Sequence, residues 1–491
     1  MRKSIMLAVV LMVALVAVPA FASVQNVKIS GDVDTTYLFR DNFDLGQSTG
    51  LNLEDTSQHL FFTQTRLRVD ADLTDQVSAT VALINERVWE ADPGDRSDVS
   101  LNLAYVTLRE MLYSPLTVIV GRQVFSYGNS LVMDATGANN LSPTDSTLDN
   151  IAEDMTKQTA LDAIRLVFDY NPLTLELLYS KVDTGTAGAS ADVVTDDVDL
   201  YGANATYELG DDLNTQIEAY FFARIDKSTN ANGDFGSKSD TIYLPGLRAS
   251  ADVLDGLNIQ GEIAWQRGNR VASTDAVAND NEQRDAMAAQ VISNYQIPND
   301  ILPDVLEEYN PAVKYIYTYV SGDSNPEDIS SEDVAGPQAS ANRHTAWDPF
   351  FENQHGGTIY NSLFDLTNAH IHAVSLTANP IEDVTTTVTW TGLWLDKQID
   401  DGASSDSVWD LRQPGTVLGL LEADVNRSTE IGYEIDIETT YDYTEDVQIG
   451  ASMGWFIPGD VFLGVDGTSG AQTPGNDSIA SQAMVHGIVN F

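Results

Sequence analysis

The sequence has no cysteine among its 491 residues, so neither a disulfide framework nor a thiolate metal centre is available to it. Basic residues are scarce: 25 Lys and Arg stand against 73 Asp and Glu, a formal charge of −48. A surface of that sign repels phosphate, which excludes nucleic acid as a partner. Beyond the N-terminus no apolar run approaches the roughly 18 residues that a membrane-crossing helix needs. Domain-scale repeats are absent, against an array of β-sandwiches, and so is a short-period repeat, against a β-helix. There is no Gly-x-Ser-x-Gly elbow, and no spacing of Ser, His and acid picks out a triad, so the expectation is that the protein is not an enzyme. Nothing calls for a cofactor. The apolar content of 43% is nevertheless too high for a disordered acidic chain.

What is present begins with MRKSIMLAVVLMVALVAVPAFA. Two basic residues precede an apolar run from Met6 to Val18, and Ala20-Phe21-Ala22 fits a cleavage site. This pattern predicts an exported chain whose signal peptide, residues 1–22, is removed after Ala22. That segment holds two basic residues and no acid, so the mature chain carries a charge near −50.

The remainder, 23–491, reads as strands. In LNTQIEAYFFARI (213–225), Leu213, Ile217, Ala219, Phe221, Ala223 and Ile225 share one face, while Asn214, Gln216, Glu218, Tyr220 and Arg224 share the other, with Phe222 the exception. Comparable runs lie near 27–40, 60–73, 76–89, 98–109, 115–125, 159–170, 172–182, 197–209, 213–226, 240–253, 257–267, 312–321, 369–379, 383–396, 428–442, 446–457 and 481–491. Most are longer than soluble strands. Tight turns such as Asp255-Gly256 alternate with long acidic loops such as 126–158, 323–367 and 397–427. Short turns on one side and long loops on the other predict an all-β, transmembrane antiparallel barrel of the bacterial outer membrane. An even strand number requires an eighteenth strand, and DAMAAQVISNYQI (285–297) supplies it, although AMAAQ also suits a helix; 16 strands is the alternative. Trp89, Trp265, Trp394 and Trp455 fall near loop-side strand ends, where interfacial aromatics belong. The chain ends SQAMVHGIVNF, with Phe491 terminal. The expected partners are therefore outer-membrane lipid, the barrel assembly machinery through that last strand, and a hydrophilic solute or saccharide.

In such a barrel the polar face of each strand lines water. Arg66, Arg68, Arg165, Arg224 and Arg248 alternate with apolar neighbours and are expected inside, because an Arg facing lipid at mid-membrane costs about 2–4 kcal/mol. Arg109 and Arg122 are expected inside as well, although the alternation around them is less clean. Arg66, Arg68, Arg109, Arg122 and Arg165 come from the second to sixth strands and make one wall. In TEIGYEIDIETTY (429–441), Glu430, Glu434, Asp436 and Glu438 fall on the inward face of the sixteenth strand. Opposed charge walls set a transverse field that selects hydrated solutes; local Arg–carboxylate pairing that stiffens the wall is the other reading. Of six histidines, His355, His370 and His372 cluster near a loop base without a metal-ligand spacing that stands out, and SGDSNPED (321–328) reads as a solvated loop.

Several stretches, in order along the mature chain, resemble the alginate export family of outer-membrane barrels. VGRQVFSYGNSLVMD (120–134) is similar to that family's Gly-Arg-Gln strand end and Tyr-Gly loop, LDAIRLVFDY (161–170) to the strand after its long loop, YVSGD (319–323) and AWDPFFENQH (346–355) to its Ser-Gly-Asp and Asp-Pro-aromatic segments, and HAVSLTANP (372–380) to the next strand and turn. The resemblance implies 18 strands and an arginine-lined channel for a polyanionic polysaccharide, with Arg122, Gln123 and Arg165 in matching positions. The sequence departs in its charge, whose external field repels a polyuronate. The expected function is a porin-like channel passing hydrophilic solutes or a polysaccharide, with loop 126–158 or 323–367 folding into the mouth. The alternative is a non-conducting surface barrel whose acidic loops bind a partner or divalent cations.

Overall fold

A computed structural model describes residues 25–43, 45, 57–89, 99–138, 153–183, 198–227, 239–271, 281–324, 343–354, 356–398, 428–462, 464–465, 472–473 and 478–491. The expected signal peptide and His355 lie outside them. The barrel strands are β1 (Asn26–Asp41), β2 (Ser57–Thr74), β3 (Val77–Val88), β4 (Ser100–Leu108), β5 (Leu116–Gln123), β6 (Leu161–Asp169), β7 (Leu173–Asp183), β8 (Val198–Glu208), β9 (Gln216–Asp226), β10 (Asp240–Leu254), β11 (Leu257–Val271), β12 (Asn281–Gln296), β13 (Ala312–Val320), β14 (Ala369–Ile381), β15 (Val384–Leu395), β16 (Glu430–Thr444), β17 (Val447–Pro458) and β18 (Ala480–Asn490). Each pairs antiparallel with its chain neighbours, and β18 returns to β1 with Asp32 opposite Asn490 and Asp41 opposite Ser481. The result is a closed 18-stranded barrel. Closure matters physically, because an open sheet edge in hydrocarbon leaves backbone N–H and C=O groups without partners.

The segment 285–297, which the parity of the barrel requires as a strand, lies in β12 except for Ile297, and β12 starts four residues earlier, at Asn281. Its small residues have a reason: Ala286 and Ala288 face inward and are fully buried under an infolded loop. The alternation sets the orientation of every strand. Ile29, Leu67, Val81, Ile164, Leu177, Phe221, Leu247, Val291, Leu376, Ile437, Met453 and Val485 are exposed on the outer face. Asp32, Asp34, Gln64, Thr80, Glu218, Glu262, Gln290 and Asp436 are buried on the inner one. Gly256, at φ +75° in the β10–β11 turn, takes a backbone conformation that a side chain disfavours.

The barrel is not simply wet inside. Inward Leu200, Tyr220, Phe222, Ile242, Leu244, Ala264, Ile371, Ile431 and Phe456 form one apolar cluster with Phe125, Leu131, Met133, Trp347, Phe350, Ile359 and Leu363, which belong to loops. The core therefore sits in the loop-side half of the lumen.

Candidate functional site

Two loops fill that half. The first, residues 124–138, carries a small hairpin pairing Ser126–Tyr127 with Met133–Asp134. Its tip is held from below by carboxylates: Gly128 N donates to Glu218 at 3.0 Å, and Asn129 N donates to Glu262 at 2.5 Å. Gly128 has φ +65°, and a Cβ there would fall 2.5 Å from the Glu262 carboxylate, so only glycine lets the backbone come this close. Tyr127 donates to Glu176 at 3.0 Å and packs 5.4 Å from Phe222.

The second loop, residues 343–368, descends beside β12 and β16. Asp348 bridges Arg284 at 2.7 Å and Arg224 at 3.3 Å. Burial alone would raise the Asp348 carboxyl, but Arg224 and Arg284 outweigh that and hold it below the usual carboxylate range. His344 is pushed down to about 4, first by burial and then by Arg270 and Arg284. Three consecutive N–H groups, of Thr358, Ile359 and Tyr360, donate to Glu434 at 2.6, 2.8 and 2.7 Å. The two loops also bond to each other, with Asp134 N donating to Phe351 O at 2.6 Å and Phe351 N to Val132 O at 3.0 Å. A third inward segment at 153–160 adds Asp154, which pairs with Arg40 at 2.5 Å, and Lys157, which pairs with Asp34 at 2.8 Å.

The charged residues picked out in the sequence fall into three groups. Arg66, Arg68, Arg165, Arg224 and Arg248 face the lumen, each beside an acid: Arg66 with Asp32 (2.6 Å), Arg68 with Asp70 (2.7 Å), Arg165 with Glu176 (2.7 Å), Arg224 with Asp348 (3.3 Å) and Arg248 with Glu218 (3.7 Å). Glu434, Asp436 and Glu438 also face inward, but Glu434 is fully buried as a loop anchor, Asp436 accepts from Thr358 Oγ1 at 2.7 Å, and only Glu438 is exposed. Three expectations are corrected. Glu430 stands opposite the outward Trp394 past a register shift in the β15–β16 ladder, and Ile431 turns inside instead. Arg109 lies past the end of β4, exposed in the periplasmic turn, where its N–H donates to Gln76 O. Arg122 stands opposite Asp162 in the register of outward-facing Val120 and Ile164, and it is Gln123 that turns inside. The strand carries Val118, Val120 and Arg122 on the same face, so an inward Arg122 would have turned two valines into the lumen.

Sequence reasoning missed the loop anchors, Glu218, Glu262 and Asp348. A signal existed in Phe222, the apolar exception in its strand. It points inward because aromatic loop residues pack on it.

Between the second loop and the wall made by β15–β18 remains a cavity of about 460 Å³. Its lining includes Asn361, Thr387, Thr389, Asp436, Glu438 and Gln482, with Asp154 and His486, and contains no Lys or Arg. One buried oxygen of Asp436 has no hydrogen-bond partner. The lumen thus joins a neutralised arginine side to an acidic and hydroxyl-rich side.

A family model described as alginate export matches residues 25–475. No curated protein matches the chain. Among solved structures, Pseudomonas aeruginosa OccK11 (OpdR) is 10% identical with a TM-score of 0.51, covering 95% of this chain and 96% of that one. Pseudomonas aeruginosa OpdK with vanillate gives the same identity and score, covering 95% of this chain and 100% of that one. Pseudomonas aeruginosa OccK2 (OpdF) is 9% identical with a TM-score of 0.51, covering 95% and 98%. At such identity these likenesses speak for the fold.

Proposed function

This chain belongs to the alginate export family and is a porin-like channel of the bacterial outer membrane, and on that premise we propose that it passes small hydrophilic solutes passively, neutral and cationic ones in preference to anions. The observation that carries the proposal is the pairing of the lumen. Each arginine expected inside and found there stands beside a carboxylate, whereas the cavity under the second loop has acids, hydroxyls and amides in its lining, with His486 but, among the described residues, no Lys or Arg. A paired guanidinium contributes little field at a distance, so the acids in the open part set the local potential. A polyuronate chain fits this lumen poorly because of its charge. A catalytic role is no part of this reading. Export with removal of residues 1–22, and delivery of β18 with its terminal Phe491 to the assembly machinery, complete the proposal.

Planar bilayers test it. Purified protein is expected to give discrete conductance steps, with a reversal potential in a potassium chloride gradient on the cation side. Absence of steps would remove the passive-channel reading for this chain. Steps with an anion-side reversal would remove the proposed preference.

A further inference from the structure

The outer face of the barrel carries a charge pattern that transport does not use. Arg87, Arg122, Lys181, Lys227 and Arg267 all stand on the outward face at the loop-side ends of β3, β5, β7, β9 and β11 or just beyond them, and Arg343 joins them beside β12. The register makes the row continuous: Arg122 is opposite Asp162, Asp162 opposite Lys181, and Lys181 opposite Asp199. Among the described residues, the outward faces of β13–β18 and of β1–β2 hold no Lys or Arg. Their loop-side ends carry Tyr319, His370, Trp394, Tyr433 and Trp455 instead. A chain of charge −48 therefore places six of its 25 basic residues along one arc of its lipid-facing rim.

The height of the row is diagnostic. A cation is costly on the lipid face at mid-membrane and nearly free at the interface, where lipid headgroups lie. Aromatic residues mark that level just below: Tyr179 and Tyr201 lie 5.2 Å apart, Phe221 and Tyr243 6.4 Å apart, and Trp265 is next on the outward face of β11. Arg267 and Arg343 converge on the single carboxylate of Asp285, Arg343 at 2.9 Å, and both guanidinium side chains remain more than half exposed. Two forked donors around one acid leave N–H groups turned outward, in the geometry that suits phosphate oxygens.

We propose that Arg267 and Arg343, at the β11–β12 rim of this basic arc, bind a phosphate group of an outer-leaflet glycolipid, so that the barrel carries phosphorylated glycolipid on one side only. The neighbouring Lys181 and Lys227, two cations on the one carboxylate of Asp199 at 3.1 and 3.0 Å, repeat the two-to-one arrangement and extend the same surface.

The test uses the full chain refolded in detergent, with native mass spectrometry of retained lipid. The probes are bis-phosphorylated glycolipid, the same lipid enzymatically dephosphorylated, and phosphatidylglycerol. The wild type is expected to retain the phosphorylated glycolipid about tenfold better than either of the others. R267Q with R343Q is expected to lose that preference. R267K with R343K is expected to keep part of it, and K28Q at the periplasmic end to keep all of it. A heat-modifiable gel shift establishes that each variant is a folded barrel, and conductance in neutral lipid is expected to be unchanged in the double glutamine variant, which separates this site from the channel. Equal retention by the wild type and R267Q/R343Q, or equal retention of the dephosphorylated lipid, overturns the site. Equal retention of phosphatidylglycerol overturns the choice of glycolipid.

Discussion

The Glu434 carboxylate on β16 lies 2.7 Å from the backbone nitrogen of Tyr360, a residue 74 positions earlier in the chain, and takes the two preceding N–H groups as well. One buried acid thus fixes the lower end of the second infolded loop. A net hydrogen bond contributes about 0.5–1.5 kcal/mol, and removing the common acceptor leaves three buried donors without a partner, at about 1–3 kcal/mol each. Glu434→Ala is therefore expected to release residues 356–364 from the wall while the barrel stays closed. Chymotrypsin should then cut at Tyr360 or Phe364 at least tenfold faster, and single-channel conductance should rise. Cleavage at the wild-type rate would show that the loop is held by its apolar contacts alone.

His344 supplies a pH dependence. Burial first, and then Arg270 and Arg284 beside it, against Asp323 and Asp348, depress it to about 4 from an ordinary value of 6.5. A released loop takes up the proton at the ordinary value. Docking is then at full strength above pH 6.5 and weakens as pH falls toward 4, by about 3 kcal/mol at the end of that window. The protection factors of residues 343–354, that is, exchange corrected for its intrinsic slowing with falling pH, are expected to drop across this interval in the wild type. His344→Gln, which keeps a hydrogen-bonding side chain and removes the titration, should flatten the profile. An unchanged profile in that variant would assign the effect to other groups.

Arg66 and Arg68 offer the sharpest check on ion preference. Both are paired, with Asp32 and Asp70. Replacing both by Gln keeps a polar side chain and leaves Asp32 and Asp70 without their guanidinium partners. The reversal potential is expected to move further to the cation side, and the shift should shrink at high salt, where such charges are screened. A move toward anions would mean that the two arginines do not face the conducting path.

How much of this was legible beforehand differs between the wall and its filling. Strand identity rests on a period of two, and a closed barrel exposes one face of every strand to lipid, so alternation around Leu67, Ile164, Phe221 or Met453 reports orientation directly. Arg122 defeats the same logic because its strand is apolar on both faces, Val118 and Val120 on one and Ile119 on the other, and alternation carries no information there. The loops are harder still. Gly128, Trp347 and Thr358 are placed by contacts that span dozens to more than a hundred residues, and no local period encodes those. Phe222 and the paired alanines of β12 hint at them, with Leu200, Ile242, Leu244 and Phe456, as apolar residues on a face that should be wet.

Phe222 gives the last expectation. It is 1% exposed inside the barrel, with Tyr220 at 5.3 Å, Tyr127 at 5.4 Å and Phe350 at 6.4 Å between ring centres. Both infolded loops thus lean on one side chain of β9. Truncating a buried Phe to Ala costs about 3–5 kcal/mol where the site cannot collapse. Here the barrel backbone is locked by its ladder, so the loss should fall on the loops. Phe222→Ala is expected to keep the heat-modifiable shift of a folded barrel while hydrogen exchange speeds up in residues 125–135 and 346–352 together. A loss confined to the first loop would mean that the second is carried by Arg224, Arg284 and Asp348 without help from the aromatic stack. Loss of the folded barrel itself would mean that the loops are part of the barrel's stability and not a filling added to it.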